Sequence, residues 1–324
     1  MVKMTRARTQ LIDDVVHNLE QAGFALSSQC DVRPSCFDLV ARKGSKLILI
    51  KILVNIDALS KEDAHALQLV AHFFNATPLI VGGKTRRGIL EEGVLYKRYG
   101  ISSITPKSFL RMIAEEEMPR EFIQRGGRFV AIDGQGLRET RLSQSMTTEE
   151  LAECVQVSAR AILAYERNEM DVSTEIAHEL EEVLETDLII PIDVMHRDFV
   201  GEPITRPDSV RAIPDLERRV NEFFERLGMR VLWTDRAPFH VAAKEDGPAV
   251  ISGVGSLRSR VLHKRVEILR SVSDVTESDT VIIVEEGKAE ESLSDIPVIR
   301  QVELEEIDEP RDLKKIMEER SRSG

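Results

Sequence analysis

The hydrophobic pattern of the first hundred residues reads as a short α/β alternation. Leu11, Ile12, Val15, Val16 and Leu19 share one face of a 3.6-residue period, which predicts a helix over 9–24 that stops at Gly23. Cys36–Ala41 predicts a strand, Lys43-Gly44-Ser45 a turn, and the nearly unbroken apolar stretch Lys46–Ile56 a second strand. A helix over Lys61–Asn75 then leads to a strand at Leu79-Ile80-Val81, ended by Gly82-Gly83. The order αββαβ, with strands apolar on both faces, predicts a small α/β domain around a buried sheet.

The final third repeats this pattern. Leu216–Leu227 predicts a helix stopped by Gly228, as the first is stopped by Gly23. Phe239–Lys244 aligns with Phe37–Arg42, and Val281–Ile283 with Leu79–Val81, both at an offset of 202 residues (37 to 239, 79 to 281). Two anchors at one offset predict two related α/β domains; the alternative is chance likeness between generic strand–helix segments. Leu188–Ile213 holds Pro191, Pro203 and Pro207 and reads as an extended connector. From Pro310 onward the chain reads as a short charged helix, solvated or frayed.

Between the two lies Leu137–Leu184, patterned as four short helices. Thr147 with Glu150 predicts a capping box that opens one helix, whose small apolar face is Leu151 and Ala152. Val155-Gln156-Val157 makes a turn, and Ser158 caps the next helix, whose inner face is Ile162 with Tyr165 or Glu166. Two crossed helices joined by such a turn can present the second to a DNA major groove.

These residues resemble the Cro/lambda-repressor type of helix-turn-helix (HTH) domain. Leu137–Arg141 would supply its first helix, Thr147–Cys154 the second, Val157-Ser158 with Ile162 and Glu166 the third, and Val172-Ser173 the start of the fourth. Two positions depart from the pattern. Thr148 stands where a phosphate-touching Gln is usual, and Gln156 stands at the turn glycine, where a left-handed or bridge conformation must be tolerated. The resemblance implies that Thr147 and Thr148 abut DNA phosphate. It also implies that Ser158, Ala159, Arg160, Ala161 and Ala164 face base edges, with Arg160 alone reaching far enough to hydrogen-bond guanine.

Charge complicates that picture. The net charge of the chain is −12, yet residues 1–130 hold 19 Lys and Arg against 14 Asp and Glu. Residues 137–186 hold four Arg (Arg138, Arg141, Arg160, Arg167) against 12 acids, a net of −8, so the HTH carries a weak basic footprint of its own. Phosphate contacts are therefore expected from Lys84, Arg86 and Arg87, in a basic run continued by Lys97 and Arg98, and from Arg125 and Arg128 on the approach to the HTH. Arg120 lies on the same approach, and Gly126-Gly127 would allow an arm. A solvated basic surface is the plain alternative.

Composition (42% hydrophobic, 31% charged) is that of a globular protein, and Leu47–Val54, the longest apolar run, is too short to span a bilayer. No apolar segment follows the basic N-terminus, so a secretory signal is not expected. Cys30, Cys36 and Cys154 read as reduced thiols and ordinary buried small hydrophobes, which favours the cytoplasm.

Candidate chemistry is sparse. The N-terminal element order resembles the PD-(D/E)XK nuclease fold of Holliday-junction resolvases, where an Asp and an acid-x-Lys hold Mg²⁺ and assist water. Asp38 and Lys51 match the Asp and Lys, but Leu49 stands at the second acid; the C-terminal counterparts are His240 and Gly253. The resemblance thus implies a restriction-endonuclease-like scaffold rather than an enzyme. Pro78–Thr85 (PLIVGGKT) ends like a phosphate loop, but Pro78 replaces its first glycine and the middle reads as strand. The seven histidines show no ligand spacing, and no metal or cofactor is expected.

The expected architecture is α/β plus all-α: two related small α/β domains (1–125 and 215–310) flank a four- to five-helix HTH domain (132–190), with a connector (191–214) and a tail (311–324). Over its full length this layout resembles the archaeal family of HTH-type transcriptional regulators. That implies a sequence-specific regulator of double-stranded DNA, with homodimerisation through the flanking α/β domains. A protein-interaction adaptor of the transcription machinery, using an acidic HTH, is the rival reading. A structure-specific nuclease is the third.

Overall fold

A computed structural model describes residues 6–195, 214–245, 247–256, 260–285 and 291–321. The N-terminal part runs α1 (Arg6–Gln21), β1 (Ala25–Leu26), β2 (Leu39–Lys43), β3 (Lys46–Asn55), α2 (Lys61–Phe74), β4 (Thr77–Lys84), β5 (Val94–Arg98), β6 (Ile101–Ile104), α3 (Pro106–Ala114), β7 (Glu121–Gln124) and β8 (Gly127–Ile132). The expected helices and strands are present, with two shifts. Strand β2 starts three residues late: Cys36–Asp38 are buried, and the Cys36 amide donates to Arg236 O at 2.7 Å, although Asp38 N already reaches Ile50 O of β3 at 2.8 Å. Gly82 and Gly83 do not end β4; they lie inside it. At Gly82 a Cβ would stand 2.7 Å from Leu53 O and 2.5 Å from Ile56 Cγ2, so close backbone approach requires glycine there.

The HTH segment follows as α4 (Gly134–Ser143), α5 (Thr148–Cys154), α6 (Ala159–Glu166), β9 (Val172–Ser173), α7 (Thr174–Leu184) and β10 (Ile189–Ile190). Strands bracket these helices. Ile132 of β8 pairs with Ile189 of β10, and Val130 pairs with Val172 of β9. Val130 and Ile132 also join Leu137, Leu151, Ile162 and Leu180 in one buried cluster, so the helices are built onto a sheet edge rather than strung on linkers. Leu188–Ile190, expected as connector, is part of that edge; the connector from 196 to 213 lies outside the described residues.

The C-terminal part runs α8 (Asp215–Arg226), β11 (Arg230–Trp233), β12 (Val241–Lys244), β13 (Val250–Gly255), α9 (Arg260–Thr276), β14 (Asp279–Val284), β15 (Ser292–Leu293), β16 (Ile296–Arg300) and α10 (Pro310–Ser321). Its sheet has the order β11-β12-β13-β14-β16-β15; the first sheet begins β1-β2-β3-β4-β6-β5 before continuing through β7, β8 and β10. Registers agree as well. Leu39 pairs with Ile50 and Val40 with Leu49, while Val241 pairs with Ser252 and Ala242 with Ile251, each 202 positions later. The tail is not a frayed end. Leu313 and Met317 of α10 are buried in the C-terminal core, and Arg320 Nη2 reaches Glu303 Oε1 at 2.5 Å.

Two compact units emerge, and they do not follow chain order. The first takes the described residues up to Val15, Leu53–Ala58 and Ile80 through the HTH segment. The second takes Val16–Ile52, Leu59–Leu79 and the described residues from Pro214 onward. Inside the second unit the packing is reciprocal: α2 meets β11, while α9 meets β1 and β2. Arg230 lies over the Phe73 ring at 5.4 Å and Phe74 meets Phe239 edge-on at 5.8 Å. On the other side Arg42 Nε donates to Val275 O at 2.6 Å. The faces offered by the sequence for dimerisation are thus, at α2 and α9, already covered within one chain.

Candidate nucleic-acid interface

Local chemistry determines where each HTH helix starts. Thr147 Oγ1 accepts from Glu150 N at 3.1 Å and Glu150 Oε2 accepts from Thr147 N at 2.8 Å, the reciprocal capping box. Ser158 Oγ accepts from Ala161 N at 3.1 Å, and Ser173 Oγ from Ile176 N at 3.3 Å. Gln156 stands at φ 52°, the left-handed geometry expected at the turn, and Val157 N closes on Ala152 O at 3.0 Å. Of the two open choices for the inner face of α6, both are inside: Ile162, Tyr165 and Glu166 are all buried. Glu166 accepts from Arg141 Nε at 2.6 Å and Nη2 at 3.2 Å, so one of the four HTH arginines is spent on the core.

The outer face of α6 differs from the expected set. Ser158 and Arg160 are exposed, but Ala159 and Ala161 lean on the helical core and Ala164 is half-buried. Helical spacing from Arg160 places Leu163, 38% exposed, and Arg167 on the open face. Neither was among the expected readers; stepping three and seven residues on from Arg160 would have found them. Thr147 and Thr148 are poorly suited to phosphate. Helix α5 is seven residues long, Glu149 and Glu150 occupy its first turn, and the Thr148 hydroxyl donates to Glu149 at 2.9 Å.

Among the described residues the basic side chains divide into exposed and committed. Lys84, Arg86, Arg87, Arg120 and Arg125 are exposed. Arg128 is not free: Glu121 and Glu91 both bind its guanidinium, the latter at 2.6 Å, and together they hold it well above the usual arginine range. Lys97 stacks 4.2 Å over the Phe122 ring and Arg98 Nε donates to Asp57 at 2.7 Å, so neither belongs to an open patch. Gly126 and Gly127, with φ of 115° and 150°, form the tight turn between β7 and β8 instead of an arm. The segment Pro78–Thr85 is mostly strand β4, so it cradles no phosphate.

The nuclease-like residues lie in the second unit. Asp38 Oδ2 accepts from Ile52 N at 2.8 Å and stands 3.9 Å from Lys51 Nζ, while Oδ1 accepts from Arg33 at 3.2 Å. Lys51 also donates to Ser35 O; its burial lowers its pKa, against the pull of Asp38. Leu49 is buried at the second acid's place, and Cys36 N donates to Arg236 O of the C-terminal half at 2.7 Å, which closes the site. This donor set does not fit a divalent cation: of the motif positions only Asp38 is a carboxylate, protein cations and amides occupy its oxygens, and the nearby Asp63 is itself bound by Arg236 at 2.7 Å. In the C-terminal half, His240 takes Asp38's role, its Nδ1 accepting from Val254 N at 3.0 Å. Burial and the nearby Arg265 push the imidazole down to about 3. Glu217, which accepts from Trp233 Nε1 at 2.8 Å, lies 3.8 Å from its Nε2.

Cys30 and Cys36 are buried free thiols, and burial raises both, Cys36 to about 12; Cys154, contrary to expectation, is exposed. Among the described residues no cluster of His, Cys, Asp and Glu could hold a metal, and no helix is long and apolar enough to cross a membrane.

Residues 8–119 match the family described as "PD-(D/E)XK superfamily domain". The chain is 36% identical to a protein of Thermococcus kodakarensis over 94% of each chain. It is 34% identical to one of Thermococcus gammatolerans over 96% of each. It is 35% identical to one of Methanobrevibacter smithii over 97% of this chain and 98% of the other. All three carry the name "Putative HTH-type transcriptional regulatory protein". No solved structure matches.

Proposed function

This chain belongs to the archaeal family of HTH-type transcriptional regulatory proteins, and on that premise we propose that it binds double-stranded DNA sequence-specifically through a Cro-type HTH. The observation that carries the reading is α6 itself. It is capped by Ser158, held at its crossing angle by the Arg141–Glu166 pair, and opens Arg160, Leu163 and Arg167 outward. Arg160 reads a guanine edge; the duplex grip comes from the exposed cations Lys84, Arg86, Arg87, Arg120 and Arg125, outside the acidic helices. The two α/β halves, alike in strand order and register, act as one scaffold that descends from a duplicated nuclease fold and has lost the metal chemistry. Because α2 and α9 face into that scaffold, a second copy reading a second half-site would have to attach elsewhere.

Binding of the full chain to genomic fragments, followed across a salt series and by sequencing of what is retained, tests this. The expected result is a preferred site, with affinity that falls steeply as salt rises. Arg160→Ala is expected to cost ~1–3 kcal/mol on that site and to relax one base position. Retention of no preferred sequence would refute the reading.

A second reading rests on the HTH surface charge, net −8 over 137–186, with Leu142 and Met170 exposed. In it the acidic module docks a basic partner of the transcription machinery, and DNA binding of the isolated chain is absent at every salt concentration. A nuclease reading is tested by incubating branched DNA with Mg²⁺ or Mn²⁺, and Leu49 and the closed Asp38 site predict no cleavage.

A further inference from the structure

Where β4 ends, the chain forms a small projecting turn. Lys84 bridges Ile89 antiparallel and Leu90 N donates to Gly83 O at 3.1 Å. Thr85 N donates to Gly88 O at 2.8 Å, and Thr85 Oγ1 accepts from Arg87 N and Gly88 N at 3.1 and 3.2 Å. Asp57 pins the base: Oδ2 accepts from Arg86 N at 2.8 Å and Oδ1 from Arg98 Nε at 2.7 Å. The tip is therefore preorganised, and ordering it on contact costs little.

The tip displays cations and an aliphatic side chain to solvent. Lys84, Arg86 and Arg87 point outward, and Ile89 is 86% exposed although Leu90 beside it is buried. Nearby carboxylates are already engaged. Glu91 binds Arg128 at 2.6 Å, Glu92 binds Lys107 at 2.8 Å, and Asp57 binds Arg98. Among the described residues, none of Lys84, Arg86 and Arg87 has a carboxylate at ion-pair distance.

We infer that the 84–89 turn is a second DNA-contacting element, which inserts Arg86 and Arg87 into the minor groove of A·T-rich duplex and wedges Ile89 against a flexible TA step. The inference rests on the regulator reading above. Three features select this partner. A narrow A·T minor groove concentrates negative potential and attracts arginine. A rigid aliphatic side chain beside cations is the apparatus by which minor-groove proteins unstack a base step. A two-stranded tip with small Thr85 and Gly88 is slim enough to approach a groove roughly 6 Å wide. The position suits it too. The turn leaves β4, four strand steps from β8 in the order β4-β6-β5-β7-β8, roughly 19 Å at ordinary strand spacing. Strand β8 leads directly into the HTH, and the turn and the HTH belong to one compact unit, so one duplex turn of ~34 Å has the length for both.

The test uses the full chain and two short duplexes, one A·T-rich with a central TA step carrying a fluorescent purine analogue, the other G·C-rich. Binding is titrated across salt, with and without netropsin as minor-groove competitor. Wild type is expected to favour the A·T-rich duplex, to brighten the analogue on binding and to be displaced by netropsin. The double variant Arg86→Ala, Arg87→Ala should flatten the slope of log affinity against log salt by about 2, since each phosphate-neutralising cation contributes ~0.9. Ile89→Ser should bind but leave the analogue dark. All three substituted residues are exposed, and circular dichroism checks that the fold is kept. If wild type binds both duplexes and the double variant keeps the wild-type slope, or netropsin has no effect, the minor-groove inference is overturned, while sequence-specific binding through the HTH, measured on the genomic fragments, stands. If wild type binds neither these duplexes nor genomic fragments, both fall. Arg160→Ala, expected to change sequence preference without changing the analogue signal, probes the HTH reading alone.

Discussion

Removing one member of the Arg141–Glu166 pair should loosen the HTH more than any change on its surface. Both side chains are nearly dry, with Arg141 6% and Glu166 9% exposed. The guanidinium makes two bonds to the carboxylate, at 2.6 and 3.2 Å, and a third to Met146 O at 2.8 Å. Together these tie α4, the start of α5 and the end of α6. Glu166→Ala leaves a buried cation with one of its three hydrogen bonds, and the cost of breaking a buried pair from one side is about 3–5 kcal/mol. Replacing both, Arg141→Met with Glu166→Leu, removes the desolvation penalty together with the attraction, and is expected to be nearly neutral. Because the chain forms two compact units, a single unfolding midpoint would blur the effect, so hydrogen exchange at α5 and α6 amides is the appropriate measurement. The single variant should speed exchange there by a factor of more than 100, the ratio equivalent to about 3 kcal/mol, while the double variant stays near wild type. An unchanged rate in Glu166→Ala would refute the claim that this pair holds α6 at its crossing angle.

Two further outcomes follow from single residues. Gln156→Gly should stabilise the HTH by ~0.5–1 kcal/mol, because a side chain at φ 52° carries steric strain that glycine lacks; slower exchange at Val157 checks it. His240 is expected to make stability depend on pH. Its folded pKa, about 3, lies below its ordinary 6.5, so between these values the unfolded chain takes up the proton and the folded one does not. The stability it contributes is complete above 6.5 and declines as pH falls toward 3. Thermal unfolding of His240→Gln should show a shallower loss over that window than wild type, and equal slopes would contradict the assignment.

Much of the site could be read before any fold was known, for a local reason. Capping at Thr147, Ser158 and Ser173 depends on residues three positions apart, and the left-handed turn at Gln156 follows from the length between helices. What could not be read was which polar residues are spent internally. Arg128 looks like any other basic residue on the approach to the HTH until Glu91 and Glu121 are brought to it across 37 and 7 residues of chain. The same holds for Arg141, which counts toward the charge of the HTH segment but is buried in its core. Leu163 and Arg167 lie beyond the start of α6, where base contacts are expected, although helical period alone continues the exposed face to them. The strands β5 to β8 are four to six residues long, too short for a convincing period in the sequence.

The hydrophobic periods and the recurrence at an offset of 202 determined the helices, the principal strands and the likeness of the two α/β halves, since side-chain direction along a helix or strand is a property of the local chain. Tertiary structure alone decided how those halves are used. Reciprocal packing of α2 on β11 and of α9 on β1 and β2, with the Cys36–Arg236 bond, closes the Asp38 site and covers those helix faces, while contacts within the C-terminal core bury the tail helix. It also decided which cations stay free, because an arginine's availability depends on whether a carboxylate lies within a few ångströms. That is set by contacts distant in sequence, and for Lys84, Arg86 and Arg87 those contacts leave the charge open to solvent.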